Sequence, residues 1–406
     1  MTPTVQAGAK TAEHLELVDR YGARNYAPLP VVVCDGEGVW VHDVDGRKYL
    51  DCLSAYSALN FGHRHPRIMQ AVAEQCGRLT LTSRAFQNDQ LGPFCRELAD
   101  LCDMDRVLPM NSGAEGVETA LKAARKWGYE VKGVPPDQAE ILCCTNNFHG
   151  RTISIVSFSD DPQFRQGFGP FTPGFPLVSY GDADALERAI TPHTVGFLVE
   201  PIQGEGGIVV PPAGYLARCL EICRRNNVLL IADEIQTGLA RTGRVFCCEH
   251  DGVKPDVLIL GKALGGGVMP VSAVLASEEV MGVFRPGDHG STFGGNPLSC
   301  AVARAAIATL IDEELADRAA QSGAYFMQKL REMNSPKVQE VRGKGLLIGI
   351  VIKPEHGDAH HYCELLAERG MLCKETAAQV VRLAPPLTIQ QDEIDWALER
   401  LADVLR

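Results

Sequence analysis

The sequence predicts an α/β protein: a large domain built on a mostly parallel sheet covered by helices, joined to a smaller α+β domain. Three observations carry that expectation. The apolar runs RVLPMN, AEILCCTN, TISIVSF, TVGFLVEP, VLLIADE, DVLILG and SAVLAS alternate with helical stretches between about Asn60 and Ala320. Near-continuous Val/Ile/Leu runs separated by helices are what parallel strands buried on both faces require. Before them, VVVCDGEGVWVHDVDGRKYLD alternates apolar and polar residues around Asp-Gly signals, which predicts a hairpin or meander. After them, the amphipathic stretch DEIDWALERLADVL and the strand patterns GLLIGIVI and VVRLAPPL mix helix and strand, as an α+β unit does.

Taken in order, the chain opens with a helical stretch and short strands up to about Ser54. Residues 1–59 are expected to form an N-terminal segment packing with the small domain, residues 60–320 the large domain and residues 321–406 the C-terminal α+β domain. A ligand in such a fold sits beyond the carboxyl ends of the parallel strands, so chemistry is sought just after the apolar runs.

Composition narrows the partners. The 406 residues are 45% hydrophobic and 22% charged, enough to bury a sizeable core in more than one domain. A formal net charge of -12 with no sustained Lys/Arg block argues against nucleic acid or an anionic membrane, since both attract basic patches. The 14 cysteines are scattered and include the adjacent pairs Cys143-Cys144 and Cys247-Cys248, with no CxxC spacing. They read as thiols in a reducing compartment rather than a disulfide framework. The opening MTPTVQAGAKTAEHLELVDRYG has neither an apolar signal core nor a presequence pattern, so a cytoplasmic protein is expected, or a mitochondrial one if a presequence has been removed.

Four strand ends offer polar groups to one region: Asn111-Ser112-Gly113-Ala114, Glu200, Asp233-Glu234 and Lys262. The first opens a helix-compatible stretch, whose free N–H groups and dipole suit a phosphate; taken alone it reads first as a plain N-cap by Ser112. Asp233 fits a helix cap, a surface charge or a partner for a buried cation such as a protonated pyridine nitrogen. Lys262, between an apolar strand and a glycine run, fits by itself a solvated charge, and also a setting in which desolvation and nearby positive charge can lower an amine pKa enough for Schiff-base formation. GKALGGG lacks the P-loop spacing, no strand-GxGxxG-helix unit occurs, and His63-x-His65 and the paired cysteines fit a metal site poorly; no metal is expected.

NSGAEGVETALKAAR, FHGRT, VEPIQGEGG, ADEIQTGLARTGR, LGKALGGGVMPVSAV and HGSTFGGNP occur in that order over most of the chain. Through them the sequence resembles the class III aminotransferases of the fold-type I pyridoxal 5'-phosphate (PLP) enzymes. The resemblance implies that Lys262 carries the cofactor, Asp233 pairs with its pyridine nitrogen, Gln236 approaches its ring hydroxyl and Phe148 stacks on the ring. It implies a phosphate cradle of Ser112, Gly113 and Ala114, completed by Thr292 of the neighbouring subunit in a homodimer with shared sites. RYGARNYAPLPVV, SAYSALNFGHRHP, LTSRAFQN and VVRLAPPL are similar to family members acting on the δ-amino group of L-ornithine with 2-oxoglutarate. By that similarity Glu205 masks Arg382 while ornithine is bound, Arg151 takes the distal carboxylate of 2-oxoglutarate, Tyr26 and Arg151 hold the α-amino-acid end of ornithine, and Tyr56 lines its pocket. FHGR is also similar to members acting on N-acetylornithine, and 4-aminobutyrate is a third candidate donor. A non-catalytic protein retaining the fold, or a PLP enzyme that is not a transaminase, are the readings of another class.

Overall fold

A computed structural model describes residues 8–406. The chain begins with the helix Ala9–Tyr21 and a meander of β1 (Val33–Glu37), β2 (Trp40–Asp43) and β3 (Lys48–Asp51). The central strands are β4 (Arg106–Met110), β5 (Glu140–Cys144), β6 (Leu177–Val178), β7 (Thr194–Val199), β8 (Leu229–Asp233), β9 (Val257–Leu260) and β10 (Ser272–Ala276). The last are β11 (Val338–Lys344), β12 (Leu347–Ile352), β13 (Met371–Leu372), β14 (Lys374–Thr376) and β15 (Val380–Leu383).

Strands β4 to β10 form one seven-stranded sheet in the order β4-β10-β9-β8-β7-β5-β6. Only β10 runs against its neighbours; β9, β8, β7, β5 and β6 pair in parallel. Strands β7 to β10 are buried at every residue, which explains their unbroken apolar runs. Alternation sends Phe197, Leu230 and Leu258 to one core and Leu198, Ile231 and Ile259 to the other, as the two-residue period of a strand demands. The helix Gly113–Trp127 covers the second face with Val117, Ala120, Leu121, Ala124 and Trp127. Gly116 lets it approach closely: a Cβ there would lie 3.0 Å from Ile259.

The smaller four-stranded sheet is β11-β12-β15-β14, all antiparallel, joined by helices such as Gln391–Leu405. A third sheet, β1-β2-β3-β13, takes its fourth strand from near the C-terminus, with β13 parallel to β3. The N-terminal segment and the last part of the chain are thereby tied together. Among the described residues no helix is long and apolar enough to cross a membrane.

One expected strand is a helix. TISIVSF forms the short helix Ile153–Val156, because the Thr152 hydroxyl accepts from the Ile155 N–H at 3.3 Å and starts a turn there. An N-cap outweighs the strand preference of a four-residue β-branched run.

Candidate active site

The carboxyl ends of β7, β8 and β9 open onto a cavity of about 210 Å³ lined by residues that include Gly113, Phe148, His149, Glu200, Asp233 and Lys262. Strand pairing explains the convergence: Val199 lies opposite Ala232 and Asp233 opposite Ile259, so Glu200, Asp233 and Lys262 leave neighbouring strands at one edge. Glu234, one residue further along, turns away and accepts from the Cys248 N–H at 2.8 Å.

Asp233 is 5% exposed and both its oxygens are engaged. Oδ1 accepts from the Ile235 N–H at 3.1 Å, and Oδ2 lies 2.6 Å from His149 Nδ1. Burial pushes the His149 pKa down, but the hydrogen bond to Asp233 and the nearby carboxylates outweigh it and leave it raised. Nδ1 is thus placed to donate to the Asp233 carboxylate. Glu200, buried beside them, accepts from the Phe148 N–H at 2.9 Å; burial lifts its pKa to about 7 against the opposing pull of His149. Burial lowers the pKa of Lys262, which Arg382 also depresses while Glu205 and Asp233 hold it up. Its backbone has φ +43, an uncommon value for a residue with a Cβ.

The helix Gly113–Trp127 starts at the cavity wall. Ser112 is its N-cap, accepting from the Glu115 N–H at 3.2 Å, while Glu115 Oε2 takes the Ser112 N–H at 2.6 Å. That reciprocal cap leaves the N–H groups of Gly113 and Ala114, both at the wall, as the free donors of the first turn.

Opposite stands an ion pair between Arg382, 1% exposed at its side chain, and Glu205, 29% exposed. The Arg382 guanidinium lies 4.9 Å from the centre of the Tyr56 ring. Gln236 Nε2 closes the ring of contacts, 3.3 Å from Glu205 Oε1 and 3.4 Å from the Tyr56 carbonyl. Burial alone would raise the Glu205 pKa; Arg382 reverses the sign and leaves it lowered. A Cβ at Gly204 would fall 1.4 Å from Gln236 Oε1, so a side chain there would displace the Gln236 amide from Glu205. Tyr56 rides on an unusual turn: Ser54, Ala55, Tyr56 and Ser57 all have positive φ, between 48 and 73. Left-handed backbone costs an L-residue about 1–2 kcal/mol each.

Lys262, Asp233, Gln236, Glu205, Phe148, Gly113 and Ala114 line the cavity together, with Tyr56 and Arg382 against its edge. Arg151 is exposed at the rim, its guanidinium 5.4 Å from the Phe148 ring centre and 3.5 Å from that of Phe164. Ser112 acts through its cap. Within one chain Tyr26, 77% exposed, and the exposed Thr292 are not among the cavity-lining residues. The sequence reading placed no role on His149, although it stands inside the quoted motif FHGRT; the signal was an imidazole next to the expected ring-stacking Phe148. Glu200 was seen at its strand end without its link to His149.

This geometry joins a helix start suited to an anion to a buried carboxylate and a buried lysine, and the comparisons name its class. The description Aminotransferase class-III matches residues 21–405; the chain belongs to the class-III aminotransferase family. It is 57% identical to an ornithine aminotransferase of Geobacillus sp. (strain WCH70), over 98% of this chain and 99% of that protein. It is 58% identical to one from Bordetella pertussis, over 95% of this chain and 94% of that protein. The structure of an ornithine aminotransferase from Toxoplasma gondii, with partial occupancy of PLP at its active site, superposes with a TM-score of 0.96 at 49% identity, covering 97% of this chain and 94% of that one.

PLP is the cofactor of this family, and the residues present suit it. Two free N–H groups at a helix start suit its phosphate. A buried, doubly bonded carboxylate suits a ring-nitrogen proton, and a lysine of lowered pKa suits its carbonyl.

Proposed function

We propose that this protein transfers the δ-amino group of L-ornithine to 2-oxoglutarate, giving glutamate 5-semialdehyde and then glutamate, the two substrates taking turns in one site. The observation that supports it most is the pairing of the buried Arg382 with the partly exposed Glu205 at the cavity edge. One site has to accept a primary amine whose reacting carbon bears no carboxylate, and then a keto acid whose reacting carbon bears one. A bare arginine suits only the second. Paired, Arg382 is neutralised for ornithine; with Glu205 swung aside it meets the α-carboxylate of the keto acid. The relatives named above favour ornithine over N-acetylornithine or 4-aminobutyrate.

The roles are those the family resemblance implies, and the cavity lining supports them for Gly113, Ala114, Phe148, Glu205, Asp233, Gln236 and Lys262. Gly113 and Ala114, with Ser112 fixing the turn, would hold the phosphate of PLP; Phe148 would cover a ring face and Gln236 would approach the ring hydroxyl. When bound, PLP supplies an electron sink for the carbanion at the carbon bearing the transferred amine. Asp233, which accepts from the Ile235 N–H and lies against His149 Nδ1, would face the ring-nitrogen proton. Lys262, whose amine burial makes easier to deprotonate, takes the proton from Cδ of ornithine. Arg151 receives the distal carboxylate of 2-oxoglutarate and, with Tyr26, the α-amino-acid end of ornithine, while Tyr56 lines that pocket. We infer a homodimer in which Thr292 of each chain serves the other's phosphate, residing in the cytoplasm, as the 14 free thiols suit.

Half-reactions test the reading. The loaded enzyme is mixed separately with L-ornithine, N-acetylornithine and 4-aminobutyrate without keto acid, and the cofactor absorbance is followed while each carbonyl product is identified. Ornithine converting fastest, with glutamate 5-semialdehyde as product, is the expected result; a faster N-acetylornithine reaction overturns it.

A further inference from the structure

The turn Ser54–Ser57 is expensive for the chain to keep. Its four successive residues sit in left-handed backbone and none is glycine, whereas such residues normally occur singly. The hydroxyls of Ser54 and Ser57, residues 0% and 1% exposed, find no hydrogen-bond partner, which adds a desolvation cost. A conformation disfavoured twice over persists only where its surroundings impose it.

Asp51 holds the entry to the turn. The carboxylate, at the end of β3 and 8% exposed, accepts from the Leu53 N–H at 2.9 Å and the Ser54 N–H at 2.8 Å through Oδ1. Its other oxygen meets His63 Nε2 at 2.9 Å. His63 is fixed in turn: its N–H donates to the Gly38 carbonyl at 2.7 Å and its carbonyl accepts from the Gly38 N–H at 3.0 Å. Beyond the turn, the Ala58 and Leu59 N–H groups both return to the Ser54 carbonyl, at 2.9 and 3.0 Å. The Cys52 carbonyl accepts from the Ala384 N–H at 2.7 Å, so the turn is tethered beside the strand that carries Arg382. What the turn delivers is Tyr56, its ring against the Arg382 guanidinium and its carbonyl on Gln236.

We propose that Asp51 and His63 are positioning residues for amine-donor recognition: their contact holds Ser54–Ser57 left-handed, and the turn holds Tyr56 against the Arg382–Glu205 pair. Neither touches substrate. This inference rests on the reading of that pair as the element that separates the two substrates. With the turn relaxed, Tyr56 leaves the guanidinium and the paired state loses one wall, so the amine donor suffers. The keto acid, which meets Arg382 after the pair has opened, is spared.

The test compares Asp51→Ala with His63→Leu, which keeps bulk and leaves the two Asp51 backbone contacts in place. Each is made alone and with Ala55→Gly, since glycine removes the steric cost of positive φ. In the holoenzyme KM for L-ornithine is expected to rise about fivefold or more in the single variants, with KM for 2-oxoglutarate changed less than about twofold. Ala55→Gly is expected to restore much of the ornithine KM and to raise the thermal unfolding midpoint. Equal changes in both KM values, or no restoration by glycine, overturn the proposal. If the wild type uses another amine, the ornithine reading fails, and the same comparison with that amine still decides this one. Should Asp51→Ala not fold, His63→Leu carries the test.

Discussion

Arg382 is a nearly inaccessible guanidinium whose charge is met by one carboxylate, Glu205, so the state of that carboxylate sets what the cavity accepts. Breaking a fully buried pair costs about 3–5 kcal/mol. Because Glu205 is 29% exposed, water softens the loss, and Glu205→Gln is expected to raise KM for ornithine about tenfold, close to 1.4 kcal/mol. The same change leaves Arg382 permanently ready for an α-carboxylate, so the half-reaction with glutamate speeds up relative to that with ornithine. Single-turnover rates for the two amines check the ratio; an unchanged ratio removes Glu205 from substrate selection. Glu200 makes a second prediction. Its folded pKa is raised from 4.5 to about 7, so between those values the native state binds the proton that the unfolded chain has released. Its contribution is present in full below about 4.5 and lost as pH rises through about 7, at up to about 1.4 kcal/mol per pH unit. Glu200→Gln retains an acceptor for the Phe148 N–H and removes the titration. Its unfolding midpoint is expected to exceed that of the wild type at pH 8 and to match it near pH 4.5. Asp233 and Lys262 were legible because each closes an apolar strand, whereas the sharing of Asp233 with His149 joins residues far apart in sequence and needed the fold.

The helix Gly113–Trp127 joins stability to binding, because its first turn is both a structural cap and the wall offered to an anion. Ser112→Ala removes the hydroxyl that accepts from the Glu115 N–H and is expected to cost about 1 kcal/mol of stability. The cap also fixes the orientation of the Gly113 and Ala114 N–H groups. The stabilisation gained on adding PLP to the apoprotein is therefore expected to shrink in the variant; denaturant midpoints with and without PLP measure both effects. A midpoint lowered equally in both conditions confines Ser112 to capping. Strands β5, β7, β8, β9 and β10 were legible because burial on both faces writes itself as an apolar run, and the edge strand β4, only partly buried, was legible by its short run VLPM. The helix Ile153–Val156 was not, since four residues carry no period and the Thr152 cap decides. The two-residue strands β6 and β13 are too short to leave a pattern, and their pairing is set by the sheet edges they meet.

At the scale of the whole molecule, the link from β13 back to β3 could not be read from composition shifts along the chain, because it joins residues more than three hundred positions apart. Thr292 raises the remaining question of which chain it serves. Its loop is held to its own chain by Asn111 Nδ2 donating to Ser291 Oγ at 2.9 Å and by His289 against Thr119 Oγ1 at 2.8 Å. Thr292 and Phe293 are exposed, Phe293 by 54%, as suits a surface that a second copy covers. If Thr292 reaches the phosphate in the neighbouring subunit, a dimer mixed from Lys262→Ala and Thr292→Ala chains contains one site with both residues intact and one with neither. Thr292→Ala alone is expected to weaken PLP binding about tenfold, as for the loss of one hydrogen bond to a charged group. At PLP concentrations where that homodimer is largely unloaded and the Lys262→Ala homodimer is inactive, the mixed dimer is expected to recover one working site. Were Thr292 to serve its own chain, every site in the mixture would lack either the lysine or the threonine, and mixing would add nothing.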